Sequence, residues 1–482
     1  MKDGDEQALG SYGLRGLRLA IAGAASAALV LAGPAFSQAT DPNAIPDGWT
    51  AQGMEPVGYV DLDAIRTFKL GLKQVGERWF LFVGEGGSSI QERTGFRVVD
   101  VTDPANPVSV VHIPVPVGDG QITLNGNLLI AGMQLPFPPP EAGGSIEYPY
   151  NNAPAEPTAL ASFFDISDPT QPRKLTDWVT PGWATHRNSY PGGKYAYMAA
   201  WVPGYRGQSI LVTLDVSDPS NPREVSRWWM PGQREDETEV PPPSGYHGAP
   251  ILSADGKMLT LGYTPSVVNL DISDPANPKL IGRLDFSPLA ALGTQAIHSV
   301  VPLSGTLLHV STEPSRQGCG RESLPFAAIV DNADPAKPYL LAYYPRPVPE
   351  PETGLKSFCD KEGRFGPHNV VTELHQDAVK QTAPLVFMTY FNAGLRVYDT
   401  RDPFMPKEVG WFLPKIGPWS EGQRGPEDVI ADTRGNIFAS DGRAGGIWVL
   451  RYTGPQPGPR VQRPAPAALT APTPAAGGPT AR

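Results

Sequence analysis

The chain has 482 residues, of which 55 are proline and 52 glycine, so more than a fifth of it is turn-forming or helix-breaking. Apolar residues at 40% exclude a disordered chain, and charged residues at only 18% among so many breakers exclude a long helical bundle. A formal net charge of −10 argues against nucleic-acid binding, which needs a basic surface. A β-dominated globular protein remains.

At the N-terminus, Arg15 and Arg18 precede an apolar run from Leu19 to Ala32 and the small-residue triplet Ser37-Gln38-Ala39. This pattern predicts a secretory signal peptide over residues 1–39, and hence a periplasmic, secreted or cell-surface protein with no membrane span after cleavage. Residues 40–53 read as a linker and 54–453 as the folded domain. Residues 454–482, almost all Pro, Ala, Gly and Thr, read as a disordered tail.

Within the folded domain a single phrase recurs: an apolar run ending in Asp, two residues, then Asp-Pro-x-x-Pro. The copies are FRVVDVTDPANP, SFFDISDPTQP, VTLDVSDPSNP, VNLDISDPANP, AIVDNADPAKP and RVYDTRDPFMP, with their first aspartates at Asp100, Asp165, Asp215, Asp271, Asp331 and Asp399. A degenerate seventh, GIWVLRY, places Arg451 at the Asp position. β-Branched and aromatic residues make each apolar run a strand, and Asp-Pro makes the turn that follows it. Two more short runs lie upstream of each phrase and one downstream. Four strands per repeat predict an all-β, seven-bladed β-propeller. The seventh repeat lacks its fourth strand, and Met54-Glu55-Pro56-Val57-Gly58-Tyr59-Val60 resembles the fourth-strand sequence PKEVGWF, so the N-terminal strand is expected to close the ring.

The runs FRVVD, LVTLD, AAIVD and LRVYD resemble the motif of the LVIVD-repeat proteins. The resemblance implies an exported β-propeller and implies no activity.

Four of the seven histidines open the first strand of successive blades, in Thr185-His186-Arg187, Tyr246-His247-Gly248, Ile297-His298-Ser299 and Pro367-His368-Asn369. The next blade reads Gly425-Pro426-Glu427 against Gly366-Pro367-His368, so Glu427 takes the histidine slot. The counterpart in blade two falls near Asp119 or Gln121, and in blade one near Lys69. A first strand lines the channel, so the imidazoles are expected to face the axis. Three readings stay open: a divalent transition metal (Fe, Zn, Mn or Cu) held by His186, His247, His298 and His368, ordinary structural histidines, and a metal-free polar pocket. The arrangement is similar to that of other seven-bladed propellers with histidine-bound axial metals, lyases and oxygenases among them. Under the metal reading, Glu427 is a base or supports a ligand, and Arg187 is a second catalytic candidate. Gln121, Tyr246, Trp183, Arg364 and Lys69 are expected in a substrate pocket. His112, His309 and His375 fall outside the register.

The one-per-blade aspartates read as turn residues rather than calcium ligands. Cys319 and Cys359, in two long loops on the same face, are expected to form one disulfide. Two functions are carried. One is a metal-dependent lyase, oxygenase or hydrolase acting on a small organic or sugar-acid substrate. The other is a non-catalytic propeller that binds a surface glycan or protein. A monomer is expected.

Overall fold

The repeated phrase folds through its aspartates. In each of six copies the first Asp accepts a hydrogen bond at Oδ1 from the backbone N–H two residues on, as Asp100 does from Thr102, Asp271 from Ser273 and Asp331 from Ala333. The Asp before the proline repeats the device, Asp103 accepting from Ala105 and Asp274 from Ala276. These side chains satisfy amides that the turn leaves without a ladder partner, which is why the spacing is invariant along the chain.

The structure, a computed structural model, describes residues 44–63, 65–86, 94–115, 118–133, 156–207, 209–238, 245–286, 295–314, 319–320, 325–414, 425–442, 446–459 and 461. The expected signal peptide and most of the expected tail lie outside the described residues.

In chain order, β1 (Thr50–Gln52) and β2 (Met54–Asp61) precede blade one, which is β3 (Thr67–Val75), β4 (Arg78–Glu85), β5 (Gly95–Asp100) and β6 (Val108–Pro114). Blade two is β7 (Gly118–Asn125), β8 (Leu128–Met133), β9 (Pro157–Asp165) and β10 (Arg173–Pro181). Blade three is β11 (Ala184–Thr185), β12 (Tyr195–Trp201), β13 (Ile210–Asp215) and β14 (Arg223–Trp228). Blade four is β15 (Gly245–Leu252), β16 (Met258–Thr264), β17 (Ser266–Asp271) and β18 (Lys279–Asp285). Blade five is β19 (Gln295–Pro302), β20 (Leu307–Glu313), β21 (Ala327–Asp331) and β22 (Tyr339–Tyr343). Blade six has β23 (Leu385–Thr389), β24 (Leu395–Asp399) and β25 (Lys407–Leu413). Blade seven has β26 (Pro426–Ala431), β27 (Asn436–Asp441) and β28 (Gly446–Tyr452). Among the described residues there is no α-helix, so none is long and apolar enough to cross a membrane.

The protein is therefore an all-β, seven-bladed propeller. Its middle strands are apolar on both faces because each blade is covered by a neighbour on either side. Phe96 of blade one meets Phe164 of blade two edge-on at 5.1 Å, and each fully buried side chain of this size contributes about 1.5–3 kcal/mol. Blade seven takes its fourth strand from the N-terminus: β2 pairs antiparallel with β28, from Met54 opposite Tyr452 to Asp61 opposite Gly446. Tyr59 packs on Trp448 at 4.9 Å. The segment read as a linker also contributes, because β1 adds to the outer edge of β25 in blade six. Strands β1 and β2 thus tie the last two blades together.

Deleting residues 44–61 should therefore lower the melting temperature far more than deleting residues 462–482. Equal melting of the two truncations would contradict closure by β2.

Candidate functional site

An ideal strand alternates its side chains, so it cannot send two successive residues to the axis. The innermost strands break this rule at the histidine slot. In blade four Tyr246 pairs with Tyr263 and Gly248 with Gly262, which leaves His247 as the extra residue of a bulge. In blade five Ile297 pairs with Thr312 and Ser299 with Ser311, leaving His298. Blade seven skips Glu427 and Asp428, and blade one skips Phe68 and Lys69. In blade three β11 ends at Thr185, His186 bonds through its N–H to Ala199, and Arg187 takes a positive φ of 62°. Bulges re-aim side chains, and here they re-aim one slot in blade after blade. Glycines opposite leave room for the neighbouring blade: a Cβ on Gly262 would lie 2.1 Å from the Ile297 carbonyl oxygen.

The four imidazoles form an arc. Ring centres are 5.1 Å apart from His186 to His247, 5.1 Å from His247 to His298 and 4.4 Å from His298 to His368. Two rings bound through nitrogen about 2.1 Å from one metal would have centres roughly 4.6–5.3 Å apart. Phe68 faces the arc from blade one, 6.3 Å from His186 and 6.0 Å from His368.

Glu313, the last residue of β20, stands at the focus. Its carboxylate lies 3.4 Å from His298 Nε2, 3.6 Å from His368 Nε2 and 3.7 Å from His247 Nε2. Ligand atoms of His247, His298 and Glu313 all fall within 4.8 Å of one another. Among the described residues His247 Nε2 has no hydrogen-bond partner, although the side chain is buried. Glu427, fully buried, puts Oε2 3.5 Å from His368 Nδ1, on the far side of that ring.

Burial and charge set the protonation states. Desolvation lowers the pKa of His247 to about 4, although Glu313 pulls it upward, and lowers His368 to about 3. His298 is pushed well below its ordinary range by burial and by the Arg187 guanidinium. Burial alone would raise Glu313, but Arg364 and the surrounding imidazoles outweigh it and hold the carboxyl well below its usual range. Neutral imidazoles around an ionised carboxylate are the donor state that a transition metal requires.

Three guanidiniums surround this cluster. Arg364 Nη1 donates to Glu313 Oε1 at 2.5 Å, and its Nη2 lies 3.9 Å from Glu427. Arg66 Nη2 donates to Glu427 Oε1 at 3.2 Å. Arg187 donates through Nη1 to Asn369 at 2.7 Å, and its Nη2 rests against Nε2 of His298.

Beneath the imidazoles is a second charged layer. Lys69, expected in the substrate pocket, is buried here, with Nζ 3.1 Å from Glu373 and 3.3 Å from Asp428. Residues 372–380 then cross the bottom of the channel. Gln376 Oε1 accepts from Leu72 N–H in blade one, the His375 carbonyl accepts from Asn125 in blade two, and Lys380 N–H donates to Ala431 in blade seven. The lower end is thus spanned by protein. Trp183 packs edge-on against Trp201, which in turn meets His186, so it lies one ring away from the arc. Tyr246 is fully buried in the blade interface, parallel to Tyr263. Gln121 is buried in β7.

A search of family models finds the LVIVD repeat at residues 192–228 and 266–285, in blades three and four. The chain carries LVIVD repeats. No curated protein matches it in sequence. Among solved structures, this LVIVD-repeat propeller is similar to a protein from Lactobacillus plantarum, with 12% identity, 78% of this chain and 98% of that one covered, and a TM-score of 0.49. It is also similar to Chaetomium thermophilum Sqt1, solved with the N-terminus of ribosomal protein L10, with 13% identity, coverage of 81% and 88%, and a TM-score of 0.42.

Cys319 and Cys359 are bridged, with Cα atoms 5.4 Å apart. The bridge joins the segment leaving Glu313 to the segment entering Arg364, and so braces the ion pair at the focus. Non-reduced, denatured protein should contain no free thiol. Closing a loop of 40 residues contributes about 4 kcal/mol in the chain-entropy account. The double variant Cys319→Ser, Cys359→Ser should therefore melt at clearly lower temperature, and unchanged melting would mean that the bridge braces nothing.

Proposed function

We propose that the LVIVD-repeat propeller binds one divalent transition metal on its axis and is a metal-dependent enzyme. The observation that carries this reading is the convergence of His247, His298 and His368 Nε2 on the single carboxylate of Glu313. Two ligands of one metal lie roughly 3.0–3.4 Å apart, and the nitrogen–oxygen distances begin at 3.4 Å. His186, at the open end of the arc, is not among the ligand atoms within 4.8 Å of one another and would have to approach to serve as a further donor. Bound there, a metal would polarise a substrate oxygen or acidify a water.

The chain's own residues support that task. Glu427 orients His368 through Nδ1, as carboxylates commonly do for metal-bound imidazoles. Arg364 fixes Glu313, and Phe68 covers the side of the axis that carries no imidazole. Residues 372–380 leave the top face as the approach. The disulfide fits an oxidising, extracytoplasmic compartment.

One contact favours the alternative of a non-catalytic binding propeller. The Arg187 guanidinium rests on His298 Nε2, a position that a metal would take. Metal binding requires Arg187 to withdraw towards Asn369 and the Phe68 ring, whose centre is 5.9 Å from its Cζ.

Elemental analysis separates the two. Protein exposed in turn to Mn, Fe, Co, Cu and Zn, then desalted, should retain about one metal per chain. His298→Ala should abolish uptake and Glu313→Gln should weaken it at least tenfold, both keeping the β-sheet circular dichroism. No retained metal, or full retention by a folded His298→Ala variant, would overturn the enzyme reading.

A further inference from the structure

The charges along the channel are not arranged at random. Lys69 is paired in the lower layer with Glu373 and Asp428, while Arg66, Arg187 and Arg364 stand in the upper layer around Glu313 and Glu427, with Arg187 also acting on Asp428. The cations and carboxylates named here cancel over both layers, so a divalent metal on the imidazoles leaves an excess of two positive charges. Water-poor surroundings make such an excess costly unless an anion joins it.

The position of the guanidiniums says where that anion goes. His298 and His368 are 1% exposed, whereas the side chains of Arg66 and Arg364 are 24% and 15% exposed. A molecule entering from the top meets these two arginines before it meets His298 and His368. Both engage Glu427, from opposite oxygens, at 3.2 and 3.9 Å. Among the described residues, Arg66 Nε is buried without a hydrogen-bond partner. Its plane is held over Phe68, with Cζ 5.1 Å from the ring centre, and Arg364 lies 3.8 Å above the centre of Phe391. Guanidiniums stacked in this way keep their edges for planar oxyanions, and the fork matches a carboxylate.

We infer that the ligand of the axial site is a small carboxylate, its charged end held by Arg66 and Arg364 and its reacting end directed at the imidazole arc. This rests on the metal reading, which supplies the positive excess. Arg66 and Arg364 are thereby specificity-determining residues, and Lys69 is not one.

The test uses metal-loaded full chain whose metal content has been measured. Thermal unfolding is followed against rising propionate, its neutral isostere propionamide, and sulfate at matched ionic strength. Propionate should raise the melting temperature saturably, and propionamide and sulfate should not. Arg66→Gln should weaken the propionate effect at least tenfold while metal content stays at the wild-type value, and Arg66→Lys should recover part of it. Equal responses to propionate and propionamide, equal responses to propionate and sulfate, or a wild-type response from Arg66→Gln would overturn the carboxylate inference alone. A chain that takes up no metal overturns both this inference and the function it rests on.

Discussion

The site depends on one departure from strand geometry. Propeller blades present their innermost strands to a narrow axis, and a regular strand would send only every second residue there. The bulges at Phe68-Lys69, His247, His298 and Glu427-Asp428 release that restriction in blades one, four, five and seven. The released residue turns to the axis without dragging its neighbours out of the blade core. Tyr246 and Ile297, one residue before their histidines, stay fully buried between the blades. The same device explains why opposite glycines are required: Gly84 stands where a Cβ would lie 2.0 Å from the Gly120 carbonyl oxygen. The metal-ligand candidates and the tight inner packing are two consequences of one backbone irregularity.

Much of this was legible in the sequence, because repetition exposes local rules. Asp-x-x-Asp-Pro recurs since both aspartates cap turn amides, and the strand before it recurs since blades are covered on both faces. The histidine slot was visible for the same reason, and Glu427 could be aligned to it. Glu313 was not visible, because it comes from a second strand and its register is not repeated. Its only signal was an acidic residue closing the run Leu307–Glu313, which apart from His309 is otherwise apolar or small. Phe68 was passed over for Lys69 because a bulge decides which of two adjacent residues faces the site, and alternation cannot predict that choice. The crossing segment of residues 372–380 leaves no periodic trace. His375 looked incidental in sequence, yet its ring lies 3.2 Å from the Leu124 carbonyl across the channel.

Electrostatics divides the channel into two layers with different tasks. The lower layer is closed on itself: Lys69 meets Thr372, Glu373 and Asp428, and Asp428 also accepts from Leu70 N–H. Burial raises the Asp428 carboxyl, with Lys69, the Leu70 N–H and Arg187 opposing the rise. The upper layer is built otherwise. Its imidazoles at His247, His298 and His368 are neutral, its carboxylates are each shared among several partners at 2.5–3.9 Å, and Arg66 and Arg364 are partly exposed.

The distribution of backbone strain agrees with that division. Among the described residues, four that are not glycine have a positive φ: Asp63, Arg187, Cys319 and Phe391. Arg187 and Phe391, at 62° and 47°, both touch the imidazole arc, one through His298 and the other 4.5 Å from the His368 ring. A left-handed residue with a large side chain costs on the order of 1–2 kcal/mol. That cost persists only where surrounding contacts over-determine the conformation. The Asp-Pro turns, which recur along the whole chain, need no such conformation, because their aspartates supply the missing acceptors. Among the described residues, such strain is thus absent from the Asp-Pro turns, and two of its four instances fall beside the imidazole arc. Blades three and six are the two whose inner strands depart furthest from a ladder, β11 ending after two residues and residues 367–371 reduced to a single Val370–Met388 bridge. They carry the two ends of the arc, His186 and His368, so the loss of regular pairing falls at the edges of the site rather than at its centre, where the bulged ladders of blades four and five hold His247 and His298.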